Sequence, residues 1–532
     1  MEQNRRRVLV ASGMLLGASA FSSMTMRYAQ AQGAPSLIWG SNLPPTLDPH
    51  ALYDVPSAFT RINLYDALFE YDGNPAVLKP VLVDSYKISA DGKTYDFELK
   101  QNVRFHDGTA LSSADVVYSF QRLLTLSTGP AAVFTNVLKP DSITTVNPLA
   151  FRIRLSEPFA PLLDTLTAVA IVNHKLVESK AAKGDWAQDW LSQNDAGSGP
   201  YRVVEGSYSP LVRLDLISYP GYFRGWLTKT PISSVLCRPV RDDATRLLAI
   251  EKGDIDATNT NLRPDQQDSL RKWPSVELVQ GSSRRLFLFR LNNARAPLNN
   301  ANFRKALACS FPYDAYIDRI MRGQVERNPG PLPQGLWGYP PGLVGYKYDL
   351  DQARQYLQKA KAEGVDITRE INFLALVGFD ETAQAAQLLQ SELRKIGVTL
   401  TISEAVWANA VQRMKNEQTS PDIWAHWMSV YYQDPDNYFG QLYSKAAWGT
   451  ELGSSWYRDD QTDALIVRAR QALDKSQRES LYQTLSTRVV DQSVDVWIYN
   501  GAATRAIRTR VKGYQSGLIG DGVPLRSMSL QA

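Results

Sequence analysis

Residues 371–402 read INFLALVGFDETAQAAQLLQSELRKIGVTLTI and predict a strand, a helix and a second strand in succession. Ile371–Val377 is a short apolar run, typical of a buried strand. Asp380 is predicted to cap a helix with one apolar face, and Gly397 supplies the left-handed residue that ends it. The β-branched segment Val398–Ile402 follows as the second strand. A crossover helix between two strands predicts a parallel pair, and therefore an α/β domain.

The flanking segments extend this pattern. The C-terminal part is predicted to continue the domain with a strand, two helices and a last strand, at Asp422–Trp427, Thr462–Leu473, Gln477–Asp491 and Val494–Tyr499. Nearer the N-terminus, Tyr95–Lys100 alternates like a half-buried strand, and Ser113 is placed to cap a helix over Ser112–Leu124. Pro329–Pro341 is rich in Pro and Gly and predicts a long surface loop.

Residues 1–31 contain the three parts of an export signal peptide. Arg5–Arg7 form a basic start, Val8–Phe21 an apolar centre too short to span a bilayer, and Ala29–Ala31 an A-x-A cleavage signal. Asn4–Leu9 resembles the twin-arginine export motif, with Asn where Ser or Thr is usual. The alternative is a buried N-terminal helix. The leader holds no cysteine for lipid attachment, so we expect a soluble periplasmic protein that begins near Gln32.

Charge and composition exclude several classes of protein. The 532 residues carry a formal net charge of +4, of which residues 1–31 hold most, so the mature chain is almost neutral with mixed charges. This pattern argues against binding to nucleic acid or to an anionic membrane. No later run is long and apolar enough for a transmembrane helix. Cys237 and Cys309 could form a disulfide or remain two buried thiols, and the sequence leaves both alternatives open.

The sequence contains no recognisable catalytic or metal-binding signature. The histidines His50, His106, His174 and His426 lie far from one another and from cysteine, so no metal-ligand spacing occurs. Nucleophile-elbow, P-loop and dinucleotide motifs are also missing. The run Phe105–Gly108 includes adjacent His and Asp, which we interpret as a turn rather than a catalytic pair. We therefore expect a binding protein rather than an enzyme, without cofactor or metal.

Several motifs occur in a characteristic order along the chain. In the first part they are Tyr65–Phe69 (YDALF), Lys79–Tyr86 (KPVLVDSY), Ser89–Tyr95 (SADGKTY), Val103–Gly108 (VRFHDG) and Ser113–Phe120 (SADVVYSF). Later pieces are Gly197–Tyr201 (GSGPY), a helix with Arg304, Ala306 and Leu307, the unit Ile371–Ile402, and Trp427 followed by Asp434-Pro435-Asp436. Together they resemble family 5 of the extracellular solute-binding proteins, which includes the dipeptide- and oligopeptide-binding proteins of ABC importers. The resemblance extends over essentially the whole mature chain.

This resemblance implies an α/β, bilobed periplasmic-binding-protein fold with an extra inserted domain and a hinge between the lobes. After the signal peptide 1–31, lobe 1 is expected to combine three segments, 32–75, 197–285 and 500–532. The inserted domain of lobe 1 is expected at 76–196 and lobe 2 at 286–499. Ligand would lie in the cleft between the lobes, which is a favoured place for ligand sites.

The resemblance also implies a function without catalysis. Family members capture a ligand outside the cytoplasmic membrane and deliver it to an ABC permease. We expect a monomer that binds a peptide or a peptide-like small polar ligand and no nucleic acid. Two alternatives remain open. One is the same fold with another cargo, such as an opine, a sugar or a metal chelate, and the other is a secreted hydrolase.

The resemblance places the ligand-binding residues in three segments. The first begins where a predicted strand ends and contributes Trp427, Met428, Ser429, Val430, Tyr431, Tyr432 and Asp434. Ligands gather beyond the carboxyl ends of strands in α/β sheets, which favours Trp427 in particular. Trp407 is a second aromatic candidate, on a helix. Tyr53, Asp54 and Val55 match a family segment that hydrogen-bonds extended ligands through its backbone.

The segment after Trp427 departs from the pattern of peptide-binding members. Those members place an aspartate a few residues after the Trp, where it meets the α-ammonium group of the ligand. Here Ser429, Val430 and Tyr431 occupy those positions, in a loop one residue longer. A buried ammonium group without a partner is costly. Either Asp434 or Asp436 therefore substitutes, or the ligand lacks a free amine, and we expect ordinary dipeptides to bind poorly.

The leader generates the first testable prediction. The double substitution Arg5→Lys and Arg6→Lys should block export, because the twin-arginine route requires the adjacent arginines. The measurement is the size and location of the protein in fractionated cells, with cleavage expected before Gln32 in the unaltered chain. Normal processing and release of the double variant would show that the general secretory route is used instead.

Overall fold

The protein was analysed as a computed structural model that describes residues 35–73, 76–134, 136–259, 262–281, 285–501, 504–517 and 522–531. The predicted signal peptide and the cleavage site before Gln32 lie outside the described residues.

Strands occur throughout the described chain. They are, in chain order, β1 (Leu37–Trp39), β2 (Phe69–Asp72), β3 (Val77–Pro80), β4 (Val83–Ile88), β5 (Thr94–Leu99), β6 (Ile143–Asn147), β7 (Ala150–Arg154), β8 (Tyr201–Val203), β9 (Leu214–Ser218), β10 (Ser234–Cys237), β11 (Val276–Gln280), β12 (Arg285–Leu291), β13 (Glu326–Arg327), β14 (Ile371–Leu376), β15 (Leu400–Ala405), β16 (Ile423–Met428), β17 (Asp495–Gly501), β18 (Thr504–Arg508), β19 (Val511–Lys512) and β20 (Ser529–Leu530).

Helices alternate with these strands, most regularly in the C-terminal half. They are α1 (Val55–Leu64), α2 (Ser113–Leu126), α3 (Leu162–Thr165), α4 (His174–Lys180), α5 (Gln188–Leu191), α6 (Asp243–Lys252), α7 (Pro264–Leu270), α8 (Ala301–Ser310), α9 (Tyr313–Ala315), α10 (Leu350–Ala362), α11 (Asp380–Arg394), α12 (Trp407–Met414), α13 (Asp436–Leu442), α14 (Asp460–Gln471) and α15 (Lys475–Asp491). Among the described residues, no helix combines the length and apolar character needed to cross a membrane.

Lobe 2 is built on a mixed sheet with the strand order β13-β17-β12-β16-β14-β15. Strands β14 and β15 are parallel, with Ile371 opposite Leu400, and α11 connects them, which confirms the predicted strand–helix–strand unit. The start of α11 differs from the prediction, because Phe379 is the N-cap and Asp380 is already the first helical residue. Gly397 has a φ of +80° and lies just beyond the helix, as predicted. Strand β16, helices α14 and α15, and strand β17 confirm the later predictions, with slightly shifted ends.

A separate antiparallel sheet with the order β4-β5-β7-β6 lies within residues 83–154 and packs against α2. Its apolar face includes Phe97, whose ring stacks on Phe151 with centroids 4.9 Å apart. Strand β5 and helix α2 confirm two further predictions. The cap of α2 is Ser112 rather than Ser113, because the Asp115 carboxylate accepts hydrogen bonds from the backbone N–H and the hydroxyl of Ser112.

Lobe 1 contains the sheet β8-β9-β10-β1, in which β1 and β10 are parallel. Ala257 bridges β1 on one side and β18 on the other, and so joins this sheet to the antiparallel pair β11–β18. Val172, Val177 and Leu191 pack in the core of lobe 1, so part of the segment 170–196 contacts lobe 1 directly. The domain boundaries given above stay a prediction.

Two neighbouring strands connect the lobes. Strands β11 and β18 pair in lobe 1, and their continuations β12 and β17 pair in lobe 2. Gln280 is opposite Thr504, and Arg285 is opposite Gly501, on either side of the crossing. The chain therefore passes between the lobes at two adjacent places, which is the arrangement expected of a hinge.

The GSGPY motif brings two backbone segments into close contact. The backbone N–H of Gly199 donates to the Leu64 carbonyl oxygen at 3.0 Å. A Cβ atom added to Gly197 would lie 1.8 Å from that same oxygen, so only glycine fits there. The motif is thus a close backbone contact at the end of α1.

Both cysteines are free, buried thiols. Cys237 lies in β10 in the core of lobe 1, and Cys309 lies in α8 in the core of lobe 2. Of the two alternatives left open by the sequence, the structure therefore supports separate thiols. Burial raises the pKa of both thiol groups above their ordinary value, most strongly for Cys237.

A buried ion pair ties the segment before α1 to helix α2. The guanidinium of Arg122 donates to both carboxylate oxygens of Asp48, at 2.8 and 2.5 Å, and neither side chain is exposed. His50 lies next to the pair, and burial together with Arg122 lowers the pKa of His50 to about 4. The imidazole is therefore neutral at neutral pH.

The second prediction concerns this ion pair. Arg122→Ala should lower the free energy of unfolding by about 3–5 kcal/mol, because it leaves Asp48 as a buried charge without its partner. The control is Arg354→Ala, which removes an exposed Arg–Asp pair on α10 and should change stability little. Urea unfolding followed by circular dichroism measures both. Equal small losses would contradict the role assigned to burial.

Candidate ligand-binding site

A cavity of about 530 Å³ lies between the lobes, beside the connecting strands. Lobe 1 contributes Arg263, Gln267 and Thr504 to its wall, and lobe 2 contributes Glu381 and Trp427. Pockets that enclose small molecules have volumes of roughly 300–1,000 Å³, so the cavity has the size of a small ligand. Its charged lining predicts a polar ligand.

Trp427 is held in place by an aromatic cluster at the end of β16. Its indole N–H donates to the Tyr499 hydroxyl at 3.3 Å, and its ring lies 5.0 Å from that of Phe287 and 5.3 Å from that of Phe379. The guanidinium of Arg285 is 5.1 Å from the ring centre. The structure thus places Trp427 on the wall of the cavity, and its role in ligand binding stays a prediction.

Glu381 brings a carboxyl group to the same wall. It lies in the first turn of α11, where the helix N-terminus favours a negative charge. Burial raises the pKa of Glu381, although Arg285 and Arg263 act in the opposite direction. The cavity therefore combines guanidinium groups with an acid that keeps its proton to a higher pH than an exposed glutamate does.

Tyr53 and Tyr431 contact each other across the cleft. Their ring centres are 4.4 Å apart, and the Tyr53 hydroxyl donates to the Tyr431 carbonyl oxygen at 3.4 Å. The guanidinium of Arg61 lies 5.4 Å from the Tyr53 ring. One residue from each lobe forms this contact, so it exists only when the lobes are together.

Two carboxyl groups lie near this tyrosine pair. Asp54 caps α1 and is fixed by reciprocal hydrogen bonds with Ser57, at 2.9 and 3.1 Å. Val55 follows as the first residue of the helix. Glu451 comes from lobe 2 and lies in the loop between helices α13 and α14. Burial raises the pKa of Glu451 to about 7, and the negative charge of Asp54 adds to the shift.

The other predicted residues after Trp427 occupy different environments. Met428 and Val430 are buried in an apolar core of lobe 2. The Ser429 carbonyl oxygen accepts a hydrogen bond from the Asn437 side chain at 3.1 Å, and the Tyr432 hydroxyl donates to Asp436 at 2.9 Å. These contacts fix the shape of the loop, and a direct role of the four side chains in binding stays a prediction.

Asp434 and Asp436, the two candidate substitutes for the missing aspartate, are both engaged inside lobe 2. Arg478 donates to Asp434 at 2.8 Å, and Arg470 donates to Asp436 at 2.6 Å. Burial raises the pKa of Asp434 to about 7, although Arg478 opposes the shift. Each aspartate already has an arginine partner, so neither offers a free carboxylate to a ligand.

A second contact between the lobes lies next to Asp434. The Tyr71 hydroxyl, from the lobe 1 segment 32–75, donates to the Asp164 carboxylate of the inserted domain. It also accepts the backbone N–H of Gln433 at 2.9 Å. Burial raises the pKa of Asp164. Tyr71 and Tyr53, both from the segment 32–75, thus contact the same loop of lobe 2.

Trp407 begins helix α12 and is 38% exposed. Its ring is parallel to that of His426 at 6.1 Å, and His426 lies 4.6 Å from the ring of Trp424. His426 is buried, and within the described part of the chain neither ring nitrogen has a hydrogen-bond partner. Burial, with Arg290 and Arg285, lowers the pKa of His426, which is therefore neutral.

Sequence reasoning predicted Trp427, Tyr431, Trp407, Tyr53 and Asp54 as ligand-binding residues, and their role in binding stays a prediction. The structure brings Tyr431, Tyr53 and Asp54 together. Sequence reasoning did not identify three other polar groups, namely Arg285 and Glu381 on the cavity wall and Glu451, which interacts electrostatically with Asp54. Glu381 lies shortly after the predicted strand Ile371–Val377 and could have been suspected from that position, whereas no predicted element marks Arg285. Nothing in the residues around Glu451 marks it as special, since its position depends on how the loop 448–455 folds back.

Residues 77–450 match the family described as "Bacterial extracellular solute-binding proteins, family 5 Middle". Over 481 residues the chain is 30% identical to the "Probable D,D-dipeptide-binding periplasmic protein DdpA" of Escherichia coli strain K12, with 88% of this chain and 89% of that protein covered. It is 25% identical over 472 residues to "Heme-binding protein A" of Haemophilus influenzae, covering 85% and 84%.

A solved structure shows the same fold. The periplasmic binding protein DppA from Helicobacter pylori, in complex with the peptide STSA, superimposes with a TM-score of 0.83. The match covers 94% of this chain and 98% of that one at 22% sequence identity. The bilobed architecture with its interlobe cleft is therefore shared.

The third prediction tests whether Asp434 is structural. Asp434→Asn should reduce stability by about 1.5–3 kcal/mol, because Arg478 loses an ionised partner, and should leave the affinity for a ligand close to that of the unaltered protein. Thermal unfolding and calorimetry measure the two quantities. The control is Asp84→Asn, an exposed carboxylate on β4. A selective loss of affinity without loss of stability would make Asp434 the ligand anchor after all.

Proposed function

The chain belongs to family 5 of the bacterial extracellular solute-binding proteins, and from this we propose that it captures a peptide or peptide-like small polar ligand in the cleft between its lobes. Members of this family are binding proteins rather than enzymes. We further propose that the mature protein works as a monomer in the periplasm and delivers its ligand to an ABC permease in the cytoplasmic membrane.

The observation that carries the proposal is a cavity of ligand size enclosed by both lobes. Arg263 of lobe 1 lies 3.1 Å from Asp380 of lobe 2 at the cavity, and the Tyr53–Tyr431 contact lies farther along the cleft. We infer that separation of the lobes about the connecting strands breaks these contacts and opens the cavity for entry and release of the ligand.

The lining indicates the class of ligand. Arg285 and Glu381 bring opposite charges to a cavity that also has an aromatic wall at Trp427. A small molecule with both a carboxylate and a cationic group, such as a short peptide, matches this mixture. The relative named as a D,D-dipeptide-binding protein supports the same class, and the relative named as a heme-binding protein makes a larger cargo the natural competitor.

The fourth prediction concerns closure and binding without turnover. A dipeptide such as D-alanyl-D-alanine or L-alanyl-L-alanine should raise the melting temperature and should make the protein more compact in small-angle scattering. At a concentration 100 times the dissociation constant, the stabilisation should be about 2.7 kcal/mol. Mass spectrometry should recover the ligand chemically unchanged. Consumption of the dipeptide without compaction would identify a hydrolase.

Two tryptophan variants make the test specific to the cleft. Trp427→Ala should weaken binding at least about tenfold, because the aromatic wall of the cavity is lost. Trp190→Ala removes a partly buried tryptophan of lobe 1 that lies against Lys180 and should leave binding unchanged. If the protein binds hemin and no dipeptide, the proposed role as a solute-binding protein stands, and heme replaces the peptide as its proposed ligand.

A further inference from the structure

A second cavity, of about 200 Å³, lies within lobe 1. It is bounded by the end of α1, by β2, by residues 222–227 and by the C-terminal segment that carries Arg526. We call it the lobe 1 cavity. Among the described residues, none lines both this cavity and the interlobe cavity. A single water molecule needs only about 10–15 Å³ of such a space, so the lobe 1 cavity admits a small polyatomic ion.

Arg61 brings a buried positive charge to the lobe 1 cavity. It lies in the last turn of α1, and only 5% of its surface is exposed. Its Nη1 atom is enclosed, and no group of the described chain accepts a hydrogen bond from that atom. The guanidinium lies 5.4 Å from the centre of the Tyr53 ring. Burial lowers the pKa of Arg61, and the attraction of Tyr53 and Asp54 offsets only part of the shift, so the charge of Arg61 is poorly compensated.

Arg526 brings a second guanidinium to the same cavity. It lies 5.9 Å from the centre of the Tyr222 ring. Its Nη1 atom is enclosed as well and has no hydrogen-bond partner in the part of the chain that the structure describes. A buried guanidinium without an ion pair is costly, because it has lost much of its hydration. Water molecules hydrate such a group but leave its charge, whereas an anion both accepts its hydrogen bonds and neutralises it.

Two of the three acidic residues that the described chain contributes to the cavity wall have cationic partners. Glu70 accepts hydrogen bonds from both Nη atoms of Arg224, one of them at 2.7 Å. Asp72 forms an ion pair with Lys79 at the surface of the protein. Because both carboxylates are engaged in this way, neither of them neutralises the two arginines whose Nη1 atoms are without a partner.

Asp66 is the third acid, and neutral donors occupy its carboxylate. The Tyr222 hydroxyl donates to Oδ1 at 2.9 Å, and the Ser198 hydroxyl donates to Oδ2 at 2.7 Å. Burial raises the pKa of Asp66 to about 6, which weakens it further as a source of negative charge. Among the described residues, no hydrogen bond or ion pair joins Asp66 to Arg61 or Arg526. The acids on the wall therefore leave both guanidinium groups without an ion pair.

We propose that the lobe 1 cavity is a second binding site, in which Arg61 and Arg526 hold a small oxyanion such as sulfate, phosphate or a dicarboxylate. The planar guanidinium donates two parallel hydrogen bonds to an oxyanion, which makes arginine well suited to carboxylate and phosphate groups. Two cations on one cavity match an anion with two negative charges. The site lies inside one lobe, and the inference does not rest on the proposed peptide ligand of the cleft.

Equilibrium dialysis with radiolabelled sulfate tests this site directly. At constant ionic strength in sodium chloride, the mature protein should bind sulfate saturably. Arg61→Gln and Arg526→Gln should each weaken binding about tenfold or more, because charge-assisted hydrogen bonds are lost. The matched control is Arg202→Gln, which removes an exposed arginine on β8 and should leave binding unchanged. Radiolabelled phosphate and succinate are dialysed in the same way, and the tightest of the three indicates whether the natural anion is inorganic or a dicarboxylate.

Stability separates anion binding from a structural role of the arginines. In chloride without an oxyanion, Arg526→Gln should leave the melting temperature unchanged or raise it, because the substitution removes an enclosed charge that has no partner in the described chain. In sulfate, the unaltered protein should gain more than the variant, since specific binding adds to the general stabilising effect of that salt. An equal loss of melting temperature by the variant in both salts would contradict the proposal and would make Arg526 a structural residue.

The remaining outcomes of the dialysis are also decisive. If none of the three anions binds saturably to the unaltered protein, the proposal is overturned. If both variants bind the anion as tightly as the unaltered protein, the anion lies elsewhere, for example among the arginines of the interlobe cavity, and the proposal is overturned as well. Neither result bears on the peptide ligand of the cleft, which the dipeptide measurements test separately.

Discussion

The pairing of two adjacent strand connections is the constraint on which the rest of the molecule depends. Strands β11 and β18 pair in lobe 1 and continue as the pair β12–β17 in lobe 2, so the lobes share one narrow ribbon. A single connection would let the lobes rotate freely, whereas two connections side by side favour bending about one line. The cavity lies against this ribbon, with Arg285, Gly501 and Thr504 in its wall. Ligand and hinge are therefore parts of one small region.

The contacts within the lobes and between them differ in kind. Each lobe has its own large apolar core, around Trp39 in lobe 1 and Phe289 in lobe 2. The contacts between the lobes, by contrast, include polar ones, such as the Ala160 N–H that donates to the Arg470 carbonyl at 2.7 Å and the Gln471 side chain that donates to Glu157. Water can replace such bonds at a small net cost. The lobes can thus separate without unfolding, and modest ligand interactions are enough to change the balance.

Much of the fold was readable from local patterns. The unit of β14, α11 and β15 followed from the apolar run at Ile371, the helix and Gly397, because the periodicity and the left-handed ending are encoded locally. Capping residues were misplaced by one position at Ser112 and Phe379, since several neighbouring side chains compete for the same backbone groups.

Pro329–Pro341 is predicted as a surface loop. In the structure, this segment buries Leu332 and Leu336 against lobe 2, because an apolar core lies beneath it. In the candidate site, too, some features could be predicted from the sequence and others could not. Trp427 could be predicted, since the end of a strand in an α/β sheet is a place where ligands bind. The partners of Asp434 and the position of Glu451 could not, because they depend on contacts between segments far apart in the sequence.

The two thiols have a consequence for where this protein can mature. Cys237 and Cys309 lie in separate cores and are not bonded to each other or to anything else described. No covalent cross-link has to form before either core is complete, so folding does not wait for an oxidising enzyme or compartment. The chain can therefore reach its native state both in the reducing cytoplasm, where glutathione is present, and in an oxidising compartment outside it. Recombinant protein from a reducing cytoplasm should accordingly be indistinguishable from the secreted form in its tertiary structure.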